Sequence, residues 1–516
     1  MFLSALIFLP LLFVLLVVIT PSTLTKTVTF VGTTIHFFIS LLLFKHFDPT
    51  SANLQLVEKV PWIKELGVTY FLAIDGISFW LVLLTTFLTP IVVAASWSTI
   101  NKQVKAFHIS ILVLEAAMIG SFVAFDTILF YVFFELSLIP MYFIVGIWGG
   151  ENRIYATLKF FIYTMFGSLM MLAGIIYLIF LCDFQQGELS ASLLDFYKLN
   201  LLFTGGTFIS PQNILFLVFC LAFAIKVPMF PFHTWLPDAH VQAPTGGSMI
   251  LAGVMLKMGT YGFLRFVLPM FPQAVDAWTP FFMSLGVIGI IYGALVAMVQ
   301  VDMKKLVAYS SVSHMGYVIV GLFAMNHFGI EGSLFQMLAH GISTGALFML
   351  VGVIYERTHS RKIAEYGGLA KALPIYAICF LIITFSSIAV PMTNGFVGEF
   401  LILLGTFQKS ALMGSLAVLG VILGAAYMLW MVKKVFFGED GEIVKKYPDM
   451  PDMNIRELLT IAPLIVLVFW MGLFPGHFLS YSKESINQLV NNPDQYKLEV
   501  STSNKSFFNI GDRREF

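Results

Sequence analysis

An all-α polytopic membrane protein is the fold class this sequence predicts, and three observations predict it. Of 516 residues, 58% are hydrophobic and only 11% charged, too few charges to clothe a soluble surface of that size. Apolar runs repeatedly exceed the roughly 18 residues needed to cross a bilayer. The basic residues gather in alternate loops, as in chains that weave through a membrane.

The elements follow in order. The first 20 residues, MFLSALIFLPLLFVLLVVIT, lack the positive flank and small-residue cleavage pattern of a secretory signal and read as a retained span. Polar and Gly/Pro-rich punctuation then places spans near 2 to 20, 27 to 46, 75 to 96, 106 to 124, 126 to 148, 154 to 182 and 212 to 240. It continues them near 246 to 268, 277 to 300, 303 to 325, 331 to 356, 374 to 405, 411 to 436 and 456 to 478, which makes fourteen helices. The loop 47 to 74 has a short extended pattern around Trp62 and Tyr70, a surface for adjacent subunits. The tail from Glu484 to Phe516 is polar and carries no motif.

Loops after odd-numbered helices hold sixteen basic residues, and those on the opposite side, counting Arg265, hold six. The odd loops are therefore expected to face the cytoplasm and both termini the outside. With five more in the C-terminal tail, this count of the 29 basic residues leaves Lys226 and Lys257 as the intramembrane cations.

Two spans break at prolines. Lys226 precedes Pro228 and Pro231 in NILFLVFCLAFAIKVPMFPF, where a charge at membrane depth is costly and is read as functional. The prolines are expected to leave the carbonyls of Ala224 and Val227 free beside the ammonium. AIKVPMFPF at 224 to 232 recurs in outline as IAVPMTNGF at 388 to 396, with a second break at Pro391. Broken helices seven and twelve enter from opposite sides, the signature of an inverted-topology repeat.

Ionisable residues inside the spans carry the functional argument. Lys257 lies about 16 Å from either end of the eighth helix, too deep to snorkel. Glu135 is central in the fifth helix and is expected to pair with Lys226; separating the two would lower the lysine's proton affinity. The competing reading of Glu135 is a static ion pair between two helices. Glu115, mid-span in the fourth helix, is either a second pairing acid or a satisfied polar residue. His314 and His340 suit a proton relay or a hydrogen-bonded core, and Ser343 and Thr344 could order water beside His340. Glu399, eight residues past Pro391, is expected toward the cytoplasmic part of its helix, with an interfacial acid as the competing reading. His233 and Asp238 follow the first break, expected near the outer side, and read as loop capping and helix termination.

Charge excludes some functions. With 29 basic and 29 acidic residues there is no basic surface for nucleic acid. Cys182, Cys220 and Cys379 lie far apart without metal-ligand spacing and read as core packing, and the aromatics and 25 methionines as core and lipid contacts. No nucleotide loop or haem pattern is present, so no cofactor or metal site is expected in this chain.

The strings FYVFFELSLIPMYF, KFFIYTMFGSLMMLAG, KVPMFPFHTWLPDAHVQAPTGGSMILAGVMLKMGTYG, YSSVSHMGY and GFVGEFLIL resemble the antiporter-like membrane subunits of respiratory complex I, the NADH–quinone oxidoreductase. The resemblance implies a proton-pumping subunit with two inverted five-helix repeats. Its units would be residues 1–105 (helices one to three), 106–270 and 271–440 (the repeats), and 441–516 (helix fourteen and tail). By motif match Glu135 and Lys226 resemble the family's glutamate–lysine pair, and Lys257 its central connecting lysine. His314 and His340 resemble the polar-axis histidines and Glu399 the acid of helix twelve. Other antiporter-like subunits commonly carry lysine at that last position, and one carries a long lateral helix that the roughly forty residues after helix fourteen could not supply. The resemblance further implies FMN, iron–sulfur clusters and quinone in partner subunits, neighbouring antiporter-like subunits beside it, and a bacterial inner membrane around it. Two other readings stand: a sodium/proton antiporter subunit of a multisubunit cation exchanger sharing the fold, and a scaffold whose ion pairs only fix packing.

Overall fold

The computed structural model describes residues 1–204, 209–491, 496 and 498–500. Eleven helices among these are long and apolar enough to cross a membrane, from Phe2–Ile19 to Ile455–Leu473. Three shorter apolar helices, Phe79–Ala95, Pro211–Lys226 and Pro374–Ser387, fall where the third, seventh and twelfth spans are expected. The fold is therefore helical and polytopic, consistent with about fourteen crossings.

Burial sorts the helices by role. The windows of Thr245–Met270 and His327–Thr358 are 100% buried and that of Met303–Phe323 is 94% buried. Phe2–Ile19, Thr25–His46, Ala411–Phe436 and Ile455–Leu473 are 33% buried or less and turn Leu, Ile and Phe side chains outward, as a lipid-facing shell does. The three enclosed helices are the ones that carry Lys257, His314 and His340.

The seventh span runs as Pro211–Lys226, a non-helical segment 227–234, then Trp235–Gln242. Pro228 and Pro231 explain the interruption, since neither has an N–H to donate. The carbonyl of Ala224 is not free: the Met229 N–H donates to it at 2.8 Å, and the Trp235 indole donates to the next carbonyl, of Ile225, at 2.9 Å. A broken helix re-satisfies its acceptors where it can, because an orphaned carbonyl in a dry interior is costly. The twelfth span breaks likewise between Pro374–Ser387 and Asn394–Lys409, with Ala389 and Met392 at positive φ.

Three expectations about sides are corrected. Asp238 pairs with Lys159 at 2.7 Å, and Gly150 and Arg361 donate to the carbonyls of Gln242 and Val241, so the segment after the first break lies on the side of the basic loops. Asp238 is thus an ion-pair partner and not a cap. In the last turns of the helix bearing Glu399 the Gly405 carbonyl accepts from Asn326, in the loop between spans ten and eleven on the side away from those basic loops. Glu399 therefore sits in the half of its helix remote from them, because a chain that enters at 374 from the basic side has passed its break before 399.

The loop 47 to 74 folds as a hairpin, Gln55–Ile63 antiparallel to Val68–Ile74, with Val60 opposite Tyr70. Asp126 anchors it to the fifth span: one carboxylate oxygen accepts from the Thr69 N–H at 2.8 Å, and the other accepts from Ile128 and Leu129 as a helix N-cap. Leu54 bonds to Glu499 at 2.8 Å, bringing the end of the described chain back to the hairpin. The polar tail is more structured than its composition suggests, since Gly476–Asn491 is an amphipathic helix that packs Phe478 and Tyr481 on Trp80. Residues 492–495, 497 and 501–516 of that tail lie outside the described residues.

Candidate functional site: a buried line of titratable side chains

The eighth span is π-helical over Leu251–Met255, immediately before Lys257. A π-turn displaces the regular i to i−4 bonding, and such turns recur at functional sites. Here the Lys257 ammonium reaches back to the Ala252 carbonyl and forward to His340 Nδ1 at 2.7 Å. Spans eight and eleven can approach because Gly253 and Gly341 face one another: a Cβ on Gly341 would lie 2.8 Å from the Gly253 carbonyl oxygen.

The line continues through the enclosed helices. The rings of His340 and His314 are 5.9 Å apart, and His314 Nδ1 lies 2.9 Å from Glu399 Oε1. Gln336 Nε2 donates to the same Glu399 oxygen at 3.3 Å, and the Ser387 hydroxyl lies 3.4 Å from His314 Nε2. Ser387 is the last helical residue before the second break, so the break places a hydroxyl beside His314. A crevice of about 220 Å³ opens beside this end, lined by His314, Glu399, Tyr317, Tyr427, Gly420 and Gly424. Ser343 does not stand free to hold water; it bonds to Ser386 at 2.6 Å in a cluster with Asn394, which fixes the second break against span eleven.

Lys226 stands at the first break. Its ammonium donates to Ser137 Oγ at 3.3 Å and lies 4.7 Å from the centre of the Phe134 ring. The expected contact with Glu135 is not formed: among the described residues no ion pair joins them within 4.0 Å, although each carries the other's charge as an electrostatic neighbour. The half-buried Glu135 is engaged instead by the Ser168 hydroxyl and the Lys226 ammonium by that of Ser137, so each charge has a hydroxyl partner in place of the other. The arrangement is an opened pair.

Glu115 is placed outside this line, fully buried and 2.9 Å from His36 of the second span. His36 was legible as an ionisable residue inside an apolar run. Two further cations are buried besides Lys226 and Lys257. Arg265, assigned by its flanking position to an outer loop, is 0% exposed and paired with Asp75 at 2.6 Å. Lys304, 6% exposed, donates to the Ala243 carbonyl at 2.5 Å. Helix ends read from hydropathy misplace long basic side chains that bend back into the protein. His233 stacks between Phe230 and Tyr292. Cys182, Cys220 and Cys379 are buried free thiols, and no group of three metal-ligating side chains occurs among the described residues.

Arranged this way, the side chains offer alternating donors and acceptors across the interior, which is what stepwise proton transfer requires. Comparison with known proteins identifies relatives of the chain. Residues 124–424 match the family model described as NADH:quinone oxidoreductase/Mrp antiporter, TM. An NADH-quinone oxidoreductase subunit M from Rhodobacter capsulatus is 48% identical over 477 residues, 90% of this chain and 90% of that one. A chain of respiratory complex I from Thermus thermophilus with bound NADH superposes at TM-score 0.84 and 31% identity, over 95% of this chain and 100% of that one. A chain of the Mrp complex from a Dietzia species shares the fold at TM-score 0.78 and 20% identity, over 96% of this chain and 55% of that one. The chain belongs to the antiporter-like, proton-translocating membrane subunits of NADH–quinone oxidoreductase, complex I, in the branch of subunit M.

Proposed function

We propose that protons cross this subunit by way of Lys226, Lys257, His340, His314 and Glu399, with Glu135 as the movable acid that controls Lys226. A carboxylate brought to an ammonium favours its charged form, and one withdrawn favours release. The opened Glu135–Lys226 pair reads as one of two such positions. The single observation that carries the reading is the bonded series Lys257–His340 at 2.7 Å and His314–Glu399 at 2.9 Å, joined by imidazole rings 5.9 Å apart.

Electrons take another route. FMN, iron–sulfur clusters and quinone belong to partner subunits, which makes this chain the translocase part of an enzyme. Their redox energy arrives as an electrostatic or conformational signal at the Glu135 end. Neighbouring antiporter-like subunits flank the chain in a bacterial inner membrane. The bias of basic residues supports termini on the outer face, with residues 106–270 and 271–440 as the two inverted units.

The test is Lys226→Ala in the assembled complex reconstituted into sealed vesicles. Protons moved per NADH oxidised should fall while the partner subunits copurify; an unchanged ratio would sink the route. A sodium/proton exchanger would work on ion gradients without the electron-transfer arm, and this chain is expected not to.

A further inference from the structure

A second buried polar column lies outside the line just described. On the second span Thr25, Thr29, Thr33, His36 and Ser40 recur at helical spacing on one face, and all five are fully buried. The hydroxyls of Thr29 and Thr33 donate to the carbonyls of Thr25 and Thr29, each at 2.9 Å, which leaves their oxygen lone pairs turned to the interface as acceptors. The third span brings Thr85, Thr86 and Thr89, all buried, and Thr86 meets Ser40 at 2.7 Å. The fourth span brings His108 and Glu115, two turns apart or about 10 Å along the axis. These and His36 are the titratable groups of the interface, with Lys26 at its end; the first and third spans contribute none.

Polar satisfaction fails here in a concentrated way. His36 Nδ1 and Glu115 Oε1 are 2.9 Å apart, yet His36 Nε2, Glu115 Oε2 and both ring nitrogens of His108 meet no hydrogen-bonding group among the described residues. Leaving such a buried atom unpaired forfeits its hydration with nothing in return, so four along one interface are out of keeping with a purely packing role. The two ends of the column differ. At one end Lys26, held on the Trp97 carbonyl at 2.7 Å on the side of the basic loops, is an electrostatic neighbour of His108. At the other, one turn past Ser40, Phe44, Phe47, Phe79, Trp80, Phe478 and Tyr481 close a ring cluster. No hydrogen bond or ion pair among the described residues links the column to Lys257.

We propose that His36 and Glu115 form a second proton-binding site, a carboxylate–imidazole pair filled from the side of the basic loops past His108 and the threonine ladder and sealed on the opposite side by the aromatic cluster. On filling, a hydronium ion gives up one proton: its O–H bond breaks, an N–H bond forms on the imidazole, water is left behind and the pair becomes carboxylate–imidazolium. On emptying, the N–H bond breaks and water on the same face takes the proton back as hydronium.

Infrared difference spectroscopy of the assembled complex after a pH jump tests the site. Glu115→Gln assigns the carboxylate bands, and His36→Gln, which retains a hydrogen-bonding group toward Glu115, serves where the first variant disturbs assembly. After the jump the wild type should show imidazole and carboxylate bands that change together, lost in either variant. In His108→Phe their exchange in D₂O should slow tenfold or more. A wild-type spectrum identical to that of either variant, or an exchange rate untouched by His108→Phe, would overturn the inference. Because Lys226 and Lys257 are unaltered, these outcomes are independent of whether the proposed proton route holds.

Discussion

Arg265 and Asp75 show how much a single pair can hold. Both side chains are wholly enclosed, and the guanidinium also lies over the rings of Phe125 and Tyr261. Removing one partner leaves an uncompensated charge, so Asp75→Asn or Arg265→Met alone should destabilise by roughly 3 to 5 kcal/mol, whereas the double variant should recover much of that. Thermal unfolding of the purified subunit, run as a double-mutant cycle, checks it. Asp126 makes a pH-dependent prediction. Burial pushes its carboxyl up to about 6, even though N–H donors from Thr69, Leu129 and Ile128 pull the other way. The folded state therefore holds this proton more tightly than the unfolded chain, and the stability contribution present at low pH is lost as pH rises through about 6. The difference in melting temperature between wild type and Asp126→Asn should follow that titration. A flat difference would mean that the carboxyl keeps its ordinary affinity. Neither residue was legible from local pattern: Asp75 and Arg265 are 190 positions apart, and nothing in the intervening sequence says that they meet.

Among the elements, the contact between spans eight and eleven governs whether Lys257 can touch His340. Gly341→Ala would set a Cβ 2.8 Å from the Gly253 carbonyl oxygen, backbone that cannot swing aside. The helices must separate by several tenths of an ångström, stretching the 2.7 Å bond, and proton translocation should fall several-fold while the complex still assembles. Gly345→Ala on the same helix, where a Cβ meets nothing within 4 Å, is the control and should be silent. The existence of these helices was readable from hydropathy, and both breaks from their prolines. The π-turn before Lys257 was not, because a helix-period pattern does not report one extra residue in a turn.

For the whole molecule, stations in series should fail as a unit. Lys257→Ala and Glu399→Gln should each abolish most proton translocation, and the double variant should do no more than either alone. Measured translocation ratios that multiplied instead would place the two residues on separate routes. The arrangement also explains the distribution of polarity: the helices carrying the line are enclosed by the rest, and the lipid-facing shell is apolar. Enclosure keeps bulk water from the buried line, and the shell meets a solvent that offers no hydrogen bonds.

Composition, apolar run length and the paired Val-Pro-Met breaks determined by themselves that this chain is a polytopic membrane protein with a lysine at a broken helix. The strings around Glu135, Lys226, Lys257, His314, His340 and Glu399 pointed to the residues of the line. Hydropathy can do this because the cost of a charge in a bilayer is local to its own span. Only the tertiary structure decided that Glu135 and Lys226 stand apart, that Glu399 occupies the half of its helix away from the basic loops, and that Glu115 belongs with His36. Those facts depend on which helix faces which. That choice is made by glycine contacts and side-chain packing between segments remote in sequence, and no single span records it.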